Sequence, residues 1–211
     1  MALILAPLSF LVIGYGLIYA LSYPMIRPLY SIYSLISNEF GPNANKESSN
    51  IYNNKVGSES GIVNFKDIKI PSIGDIYGEL SIGKINLKLD LYFGDSNEIL
   101  EVGAGQFAGS YLPGFNRTVM IAGHTVPYFQ RFGELAKSDV VQISTSYGVF
   151  TYKITDVKVG DFNDSSMYDL SQDKKEQLIL YTCYPLDGIG FKQQRLFVYA
   201  DKVSGPTVSG V

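Results

Sequence analysis

Hydrophobic and polar positions alternate along much of the chain beyond residue 67, and this period of two predicts short β-strands. The clearest example is "GKINLKLDLYFG" at 83–94, where every second residue from Ile85 to Leu91 is apolar. Further apolar runs, bounded by turn-forming residues, lie at 118–123, 139–145, 148–160, 176–183 and 194–203. Short helices or turns are predicted only at 126–137 and 165–173. Many short strands joined by turns predict a mostly antiparallel barrel or sandwich.

The N-terminal segment has a different pattern. Residues 2–24 contain no charged side chain, and the first charge is Arg27. About 20 apolar residues, rising 1.5 Å each in a helix, span a hydrocarbon core of roughly 30 Å. We favour an uncleaved transmembrane signal anchor over 1–24. One alternative is a signal peptide cleaved after Ala20, but Ile18 would then stand three residues before the cleaved bond, where a small residue is expected. The other alternative is a buried core helix.

The composition between these segments sets the domain boundaries. Residues 25–67 are predicted to be a juxtamembrane segment and a flexible tether, because much of this range is rich in Asn, Ser, Gly and charged residues. The folded domain is expected at 68–203, with a C-terminal tail at 204–211. Seventeen basic and 20 acidic side chains give a net charge of −3, so there is no electrostatic reason to expect a nucleic-acid partner.

The chain has one cysteine and one histidine, which excludes an intramolecular disulfide and a zinc site built from Cys and His ligands. Cys183 ends the strand "QLILYTC" and precedes a turn-rich loop, and His124 follows the apolar run "VMIAG". A thiol becomes a competent nucleophile when a partner holds or takes its proton. Cys183 is thus a nucleophile, a small buried hydrophobe or half of an intermolecular disulfide, and position alone leaves these readings open.

An acyl-transfer mechanism also needs a group that stabilises an oxyanion. Arg195 begins the strand after Cys183, so pairing of 176–183 with 194–203 would bring the two residues together. A guanidinium there can donate hydrogen bonds to a carbonyl oxygen. The alternative for Arg195 is a solvated charge at the edge of a strand.

Three motifs in this order resemble those of sortases. "LYTC" at 180–183 is similar to the sortase signature T-L-x-T-C, with Ile179 where the first Thr usually stands. "IAGH" at 121–124 resembles the histidine segment of the family, and "QRLFVYA" at 194–200 its arginine strand. The resemblance covers about residues 68–203, and "TCYP" together with the N-terminal anchor is most like class D sortases.

The resemblance implies a fold, an activity and a site. The expected fold is mostly β, a closed sortase-type barrel of about eight strands with one or two short helices, preceded by the transmembrane helix. The expected activity is cysteine transpeptidation, in which an LPxTG-like sorting signal on a secreted protein is cleaved after its Thr. Cys183 would form a thioester, His124 would act as general acid and base, and Arg195 would stabilise the oxyanion and orient the peptide.

The family also implies partners and a location. An amine of a cell-wall precursor or a pilin would resolve the thioester. The domain would lie outside a Gram-positive cell, anchored in its membrane, although Arg27 weakly favours the opposite orientation. Thr182, Tyr184 and Ala122 are expected to contact the substrate.

No cofactor is expected. Some sortases bind calcium near the loop that corresponds to 160–177, but its aspartates do not have the spacing of an EF-hand, and we favour a solvated acidic loop. Two other functions stay open. One is a cysteine endopeptidase without transfer activity, and the other is a non-catalytic surface-binding β domain in which Cys183 is merely packed.

Overall fold

The computed structural model describes residues 11–18, 49–53, 57–168, 170, 175–187 and 192–210. Residues 11–18 form a helix, α1, whose side chains are almost all exposed. Among the described residues, no helix is long and apolar enough to cross a bilayer. The predicted anchor over 1–24 extends on both sides of α1 into residues outside the described ranges, so it stays a prediction.

Strands account for most of the described chain. They are β1 (Ile62–Asn64), β2 (Ile76–Ile82), β3 (Leu87–Phe93), β4 (Ala104–Gln106), β5 (Val119–Ala122), β6 (Val140–Thr145), β7 (Val149–Asp161), β8 (Gln177–Tyr184), β9 (Gln194–Ser204) and β10 (Thr207–Ser209). A short helix, α2, spans Asn97–Val102. Single 3-10 turns lie at Phe65–Asp67, Gly83–Ile85, Gln130–Glu134 and Ser165–Met167, and an irregular helical turn at Thr125–Phe129.

Eight of these strands close into a barrel in the order β2-β3-β4-β5-β8-β9-β7-β6, with β6 pairing back onto β2. The pairs β3–β4 and β5–β8 are parallel, and the other neighbours are antiparallel. Closure removes the exposed sheet edges that would otherwise invite pairing with other chains. The predicted closed barrel is confirmed.

The barrel interior holds the main core. In β3, Leu91 is buried while Lys88 and Asp90 are exposed, as the alternation in the sequence predicts. The fully buried aromatic side chains of this core are Tyr77, Tyr152, Phe129, Phe132 and Phe150, and Phe129 stacks on Phe132 with 3.9 Å between ring centroids. Phenyl rings from the turns after β5 thus pack into the interior core beside the strands.

A second, smaller cluster lies outside the barrel, on β5, β8 and β9. Met120, Ile179 and Phe197 are buried there under a loop that contributes Met167 and Tyr168. Burial on both sides of the sheet explains why β8 is continuously apolar from Leu178 to Leu180. Ile179 is fully buried in this outer cluster. A threonine, the usual residue of the signature, would need a hydrogen-bond partner for its buried hydroxyl, whereas isoleucine needs none.

Residues on both sides of the expected domain also form ordered contacts, and the domain boundaries stay a prediction. The described parts of the predicted tether contact the barrel, since Tyr52 is buried and Ser58 bridges to Gly148. The predicted C-terminal tail forms β10, which pairs in parallel with β1. The two segments stabilise each other, a contact between distant residues that local composition does not reveal.

A buried carboxylate joins several elements at the start of β8. Glu176 is 2% exposed and accepts hydrogen bonds from the backbone N–H groups of Gly114 (3.0 Å) and Asn116 (3.1 Å). The Tyr152 hydroxyl donates to the same carboxylate at 2.6 Å, and the Lys202 ammonium lies 3.3 Å away. Burial, together with this negative charge, raises the pKa of Tyr152 well above its usual value. Glu176 therefore acts as a structural hub at the end of β8 remote from Cys183.

Candidate active site

The three predicted catalytic residues lie on or directly after neighbouring strands, because β8 pairs with β5 on one side and β9 on the other. Cys183 of β8 stands directly opposite Arg195 of β9 in the antiparallel register. Directly opposed residues share a face, with Cβ atoms about 4.5–5.5 Å apart. The predicted pairing of the two strands is confirmed, and it places the guanidinium stem beside the thiol.

His124 follows β5, the strand that pairs with β8 on the side away from β9. The parallel register of β5 and β8 ends with Ala122 opposite Tyr181, and the Gly123 N–H donates to the Tyr181 carbonyl at 3.3 Å. The backbone of His124 is still extended, with φ −63° and ψ 142°. Because side chains alternate along extended backbone, His124 is placed beside Cys183 and on its face of the sheet.

Two threonines join the histidine segment to the nucleophile strand. The Thr182 hydroxyl donates to the Gly123 carbonyl at 2.8 Å, and the Thr125 hydroxyl donates to the Cys183 carbonyl at 3.0 Å. The two hydroxyl oxygens are also 3.0 Å apart. These contacts bracket His124 in sequence, so they fix its backbone against that of Cys183.

The next positions along the same face are aromatic. The Tyr181 and Phe197 rings stack with centroids 6.0 Å apart, and the Tyr181 hydroxyl lies 3.5 Å from an Asp95 carboxylate oxygen. Burial, followed by the Asp95 charge, raises the pKa of Tyr181 well above its usual value. Burial also raises the pKa of Asp95, while the Tyr181 hydrogen bond opposes that shift. Cys183 and His124 are both half-buried, so they border an aromatic surface that is partly screened from water.

Arg195 is held by contacts of its own. Its Nη1 donates to the Lys192 carbonyl at 2.7 Å and to the Gln194 carbonyl at 3.0 Å. The guanidinium carbon lies 4.7 Å from the centroid of the Phe162 ring. These contacts argue against a freely solvated charge at the strand edge.

The three predicted substrate contacts differ in their surroundings. Thr182 is 2% exposed and its hydroxyl is hydrogen-bonded within the protein, because it lies on the inner face of β8. The Thr182 side chain joins β8 to the histidine segment, and its contact with substrate stays a prediction. Ala122 is buried on the outer face beside Tyr181, and Tyr184 is half-buried against the interior core. For these two residues, substrate contact stays a prediction.

Several residues around the site were not predicted. Thr125 and Phe162 contact the predicted site residues Cys183 and Arg195, and Asp95 contacts the neighbouring Tyr181, yet none belongs to a motif that sequence alone brings close to Cys183. The available signals were the position of Thr125 directly after the sole histidine and the presence of Phe162, an apolar residue, in an acidic loop.

The acidic loop shows no cluster that would bind a metal within the described part of the chain. Asp161 and Asp164 accept hydrogen bonds from the backbone N–H groups of Asn163 and Ser166. Asp169 and Asp173, the other two aspartates of the loop at 160–177, lie outside the described residues.

Comparison with known proteins identifies the family. A profile of the sortase domain matches residues 80–203, which include all three predicted catalytic residues. The chain belongs to the sortase family. Sortases are cysteine transpeptidases, so the predicted enzyme class is confirmed. Sortase D of Bacillus subtilis (strain 168) is 40% identical over 134 residues, which are 64% of this chain and 67% of that protein. This similarity confirms the class D-like character.

Solved sortase structures have a similar fold. The Sortase D5 transpeptidase of Clostridium perfringens is 25% identical with a TM-score of 0.58, and the match covers 65% of this chain and 85% of that one. A Clostridium perfringens sortase C solved with the C-terminal cell wall sorting motif is 30% identical with a TM-score of 0.57, over 63% of this chain and 72% of that one. The predicted sortase-type barrel is thus confirmed.

Proposed function

We propose that this sortase cleaves an LPxTG-like sorting signal after its threonine and transfers the resulting acyl group to an amine. The observation that carries the proposal is the direct pairing of Cys183 with Arg195, with His124 on the adjoining strand segment. A nucleophile, a proton carrier and a fixed cation on one face are the groups that acyl transfer requires. The sorting motif in the Clostridium perfringens sortase C structure supports this substrate class for a related enzyme.

The first half-reaction breaks the peptide bond. The Cys183 sulfur attacks the carbonyl carbon of the signal's threonine, and its proton passes to His124. Arg195 donates hydrogen bonds to the oxygen of the tetrahedral intermediate, where negative charge develops. His124 then protonates the departing nitrogen, the C–N bond breaks, and a thioester on Cys183 remains.

The second half-reaction resolves the thioester. An incoming amine attacks the same carbonyl carbon, His124 takes its proton, and the Cys183 sulfur leaves as the new amide forms. Water in place of the amine gives slow hydrolysis. Our proposed acceptors are the amine of a cell-wall precursor or the lysine of a pilin.

The proposed location is the outer face of a Gram-positive membrane, with 1–24 as the anchor. The uncharged stretch at 2–24 supports an anchor, and secreted proteins that carry sorting signals are accessible there.

A peptide assay with and without an added amine tests the proposed function. The full-length chain is incubated with a library of LPxTG-type peptides and several candidate amines, and products are identified by mass spectrometry. We expect an amide between the threonine-terminated fragment and the amine. Cleavage with no amine-trapped product at any amine concentration would favour the endopeptidase.

The matched variant for this assay is Cys183→Ala, with circular dichroism as the folding control. We expect turnover to vanish while the β-barrel spectrum persists. Normal cleavage by this variant would make Cys183 structural, and absence of turnover by the wild type would favour the non-catalytic binding domain.

A further inference from the structure

Phe162 occupies an unusual position for a large apolar residue. It lies one residue beyond the end of β7 and exposes 47% of its surface, so it gains little from core packing. Its backbone is nevertheless tied down on two sides. The Phe162 N–H donates to the Gln193 carbonyl at 3.0 Å, and the Tyr168 hydroxyl donates to the Phe162 carbonyl at 3.2 Å.

The exposed ring lies against the guanidinium of Arg195. The guanidinium carbon is 4.7 Å from the ring centroid, well within the distance at which a cation is attracted to an aromatic face. The neighbouring register explains this contact. Gly160 of β7 stands opposite Arg195, and a Cβ at Gly160 would lie 2.5 Å from Met167. The missing side chain lets the loop after β7 fold down over the end of β9.

Arg195 is therefore held by two different kinds of contact. Its Nη1 is bound by the carbonyls of Lys192 and Gln194, and the Phe162 ring packs on the guanidinium. A guanidinium has five N–H donors, of which Nη1 carries two. The other three are on Nε and Nη2. Fixing the planar group before the substrate arrives removes an ordering cost that would otherwise be met in the transition state.

We infer that Phe162 is a positioning residue for the acyl-transfer reaction, acting through Arg195. The ring holds the guanidinium plane so that Nε and Nη2 face the carbonyl that Cys183 attacks. This inference rests on the proposed function, and it assigns a role to the acidic loop that requires no metal.

The test measures kcat and KM for an LPxTG-type peptide with a fixed amine. Phe162→Leu keeps an apolar side chain and removes the aromatic face. We expect kcat to fall about 3- to 10-fold, which corresponds to the free energy of one partly exposed cation–π contact. KM should change less than twofold, because the guanidinium acts on charge that develops in the transition state. Phe162→Tyr retains the aromatic face, so we expect its kcat to stay within twofold of the wild type.

Tyr111 provides a matched control away from the site. It is 44% exposed, and the Arg117 guanidinium lies 5.7 Å from its ring centroid, so Tyr111→Leu removes a similar exposed pair. We expect that variant to keep the wild-type kcat. Urea unfolding of each variant checks that the barrel is intact.

A double-mutant cycle separates action through Arg195 from direct contact with the peptide. In the Arg195→Lys background we expect Phe162→Leu to lower kcat less than twofold, because the planar guanidinium that the ring orients is gone. An unchanged fold-loss in that background, or equal activity of Phe162→Leu and the wild type, would overturn the inference while leaving the proposed function intact. Absence of peptide turnover by the wild type would refute the proposed function, and the inference with it.

Discussion

The hydroxyl of Thr182 provides a quantitative test of how the site is assembled. Thr182→Val keeps the shape of this buried side chain and removes the donor that reaches the Gly123 carbonyl at 2.8 Å. Each of the two threonine hydroxyls has one proton to donate, and Thr125 can still donate its own to the Cys183 carbonyl in the variant. The variant therefore loses one hydrogen bond, the one from Thr182 to the Gly123 carbonyl. A lost hydrogen bond that strands a buried carbonyl costs about 1–3 kcal/mol, and we expect about 2 kcal/mol.

The same contact fixes the backbone of His124, so activity should fall together with stability. A loss of 2 kcal/mol corresponds to at most about a 30-fold loss of kcat, and we expect about tenfold because Thr125 still holds the segment. The assays are urea unfolding, for the free energy of unfolding, and peptide turnover, for kcat.

Two variants control this experiment. Thr182→Ser retains the hydroxyl and should recover most of the activity, whereas Thr155→Val removes an exposed threonine hydroxyl that donates to the Tyr199 carbonyl at 3.2 Å and should change the free energy of unfolding by less than about 0.5 kcal/mol. A Thr182→Val variant with wild-type stability and kcat would refute the argument that this hydroxyl holds the two catalytic segments together.

Three further substitutions test the remaining parts of the account. Arg195→Lys should lower kcat about 10- to 100-fold, because a point charge does not reproduce the guanidinium fork, and near-wild-type turnover would remove that residue from the mechanism. Glu176→Ala should lower the free energy of unfolding by about 3–5 kcal/mol in urea, since the partly buried Lys202 loses its counter-charge and the N–H groups of Gly114 and Asn116 lose their acceptor. The exposed salt bridge between Arg131 and Glu134 offers the control, and Glu134→Ala should lower the free energy of unfolding by under about 1 kcal/mol. Gly123→Ala should lower the free energy of unfolding by about 1–3 kcal/mol and slow turnover, because a Cβ there would lie 2.5 Å from the Phe129 ring. An unchanged free energy of unfolding and unchanged kinetics would contradict this close packing.

Most of the barrel could be predicted from the sequence where one face of a strand is buried. The alternation in β3 and the apolar runs of β5 to β9 mark these strands, because burial on a pleated sheet imposes a period of two. The three-residue strands β1, β4 and β10 were missed, since three residues are too few to show a period. The strand β2 was missed as well, because it is buried at almost every position and shows little alternation.

The catalytic pairing could be predicted because it depends on strand order and register. Cys183 ends β8 and Arg195 begins β9, so antiparallel pairing of two strands consecutive in sequence brings the two residues close together. The contacts of Thr125 and Phe162 depend on how separate loops fold onto the sheet. No local pattern encodes that packing, so these residues became visible only in three dimensions.

Ile179 shows how the structure resolves a departure from a motif. The sequence places an isoleucine where the sortase signature usually has a threonine, which raised the question of a missing hydroxyl. The side chain is fully buried with Met120 and Phe197 on the covered face of the sheet. Its role is packing beneath the loop after β7, and the nucleophile at Cys183 is unaffected.

Direct detection of the acyl-enzyme tests the central claim. The full-length chain is incubated with an LPxTG-type peptide in the absence of amine, and its intact mass is measured. We predict an adduct equal in mass to the threonine-terminated fragment minus water, absent from Cys183→Ala and released by hydroxylamine as the hydroxamate. Cleavage of the peptide without any such adduct, or an adduct that persists in Cys183→Ala, would contradict a thioester mechanism at this cysteine.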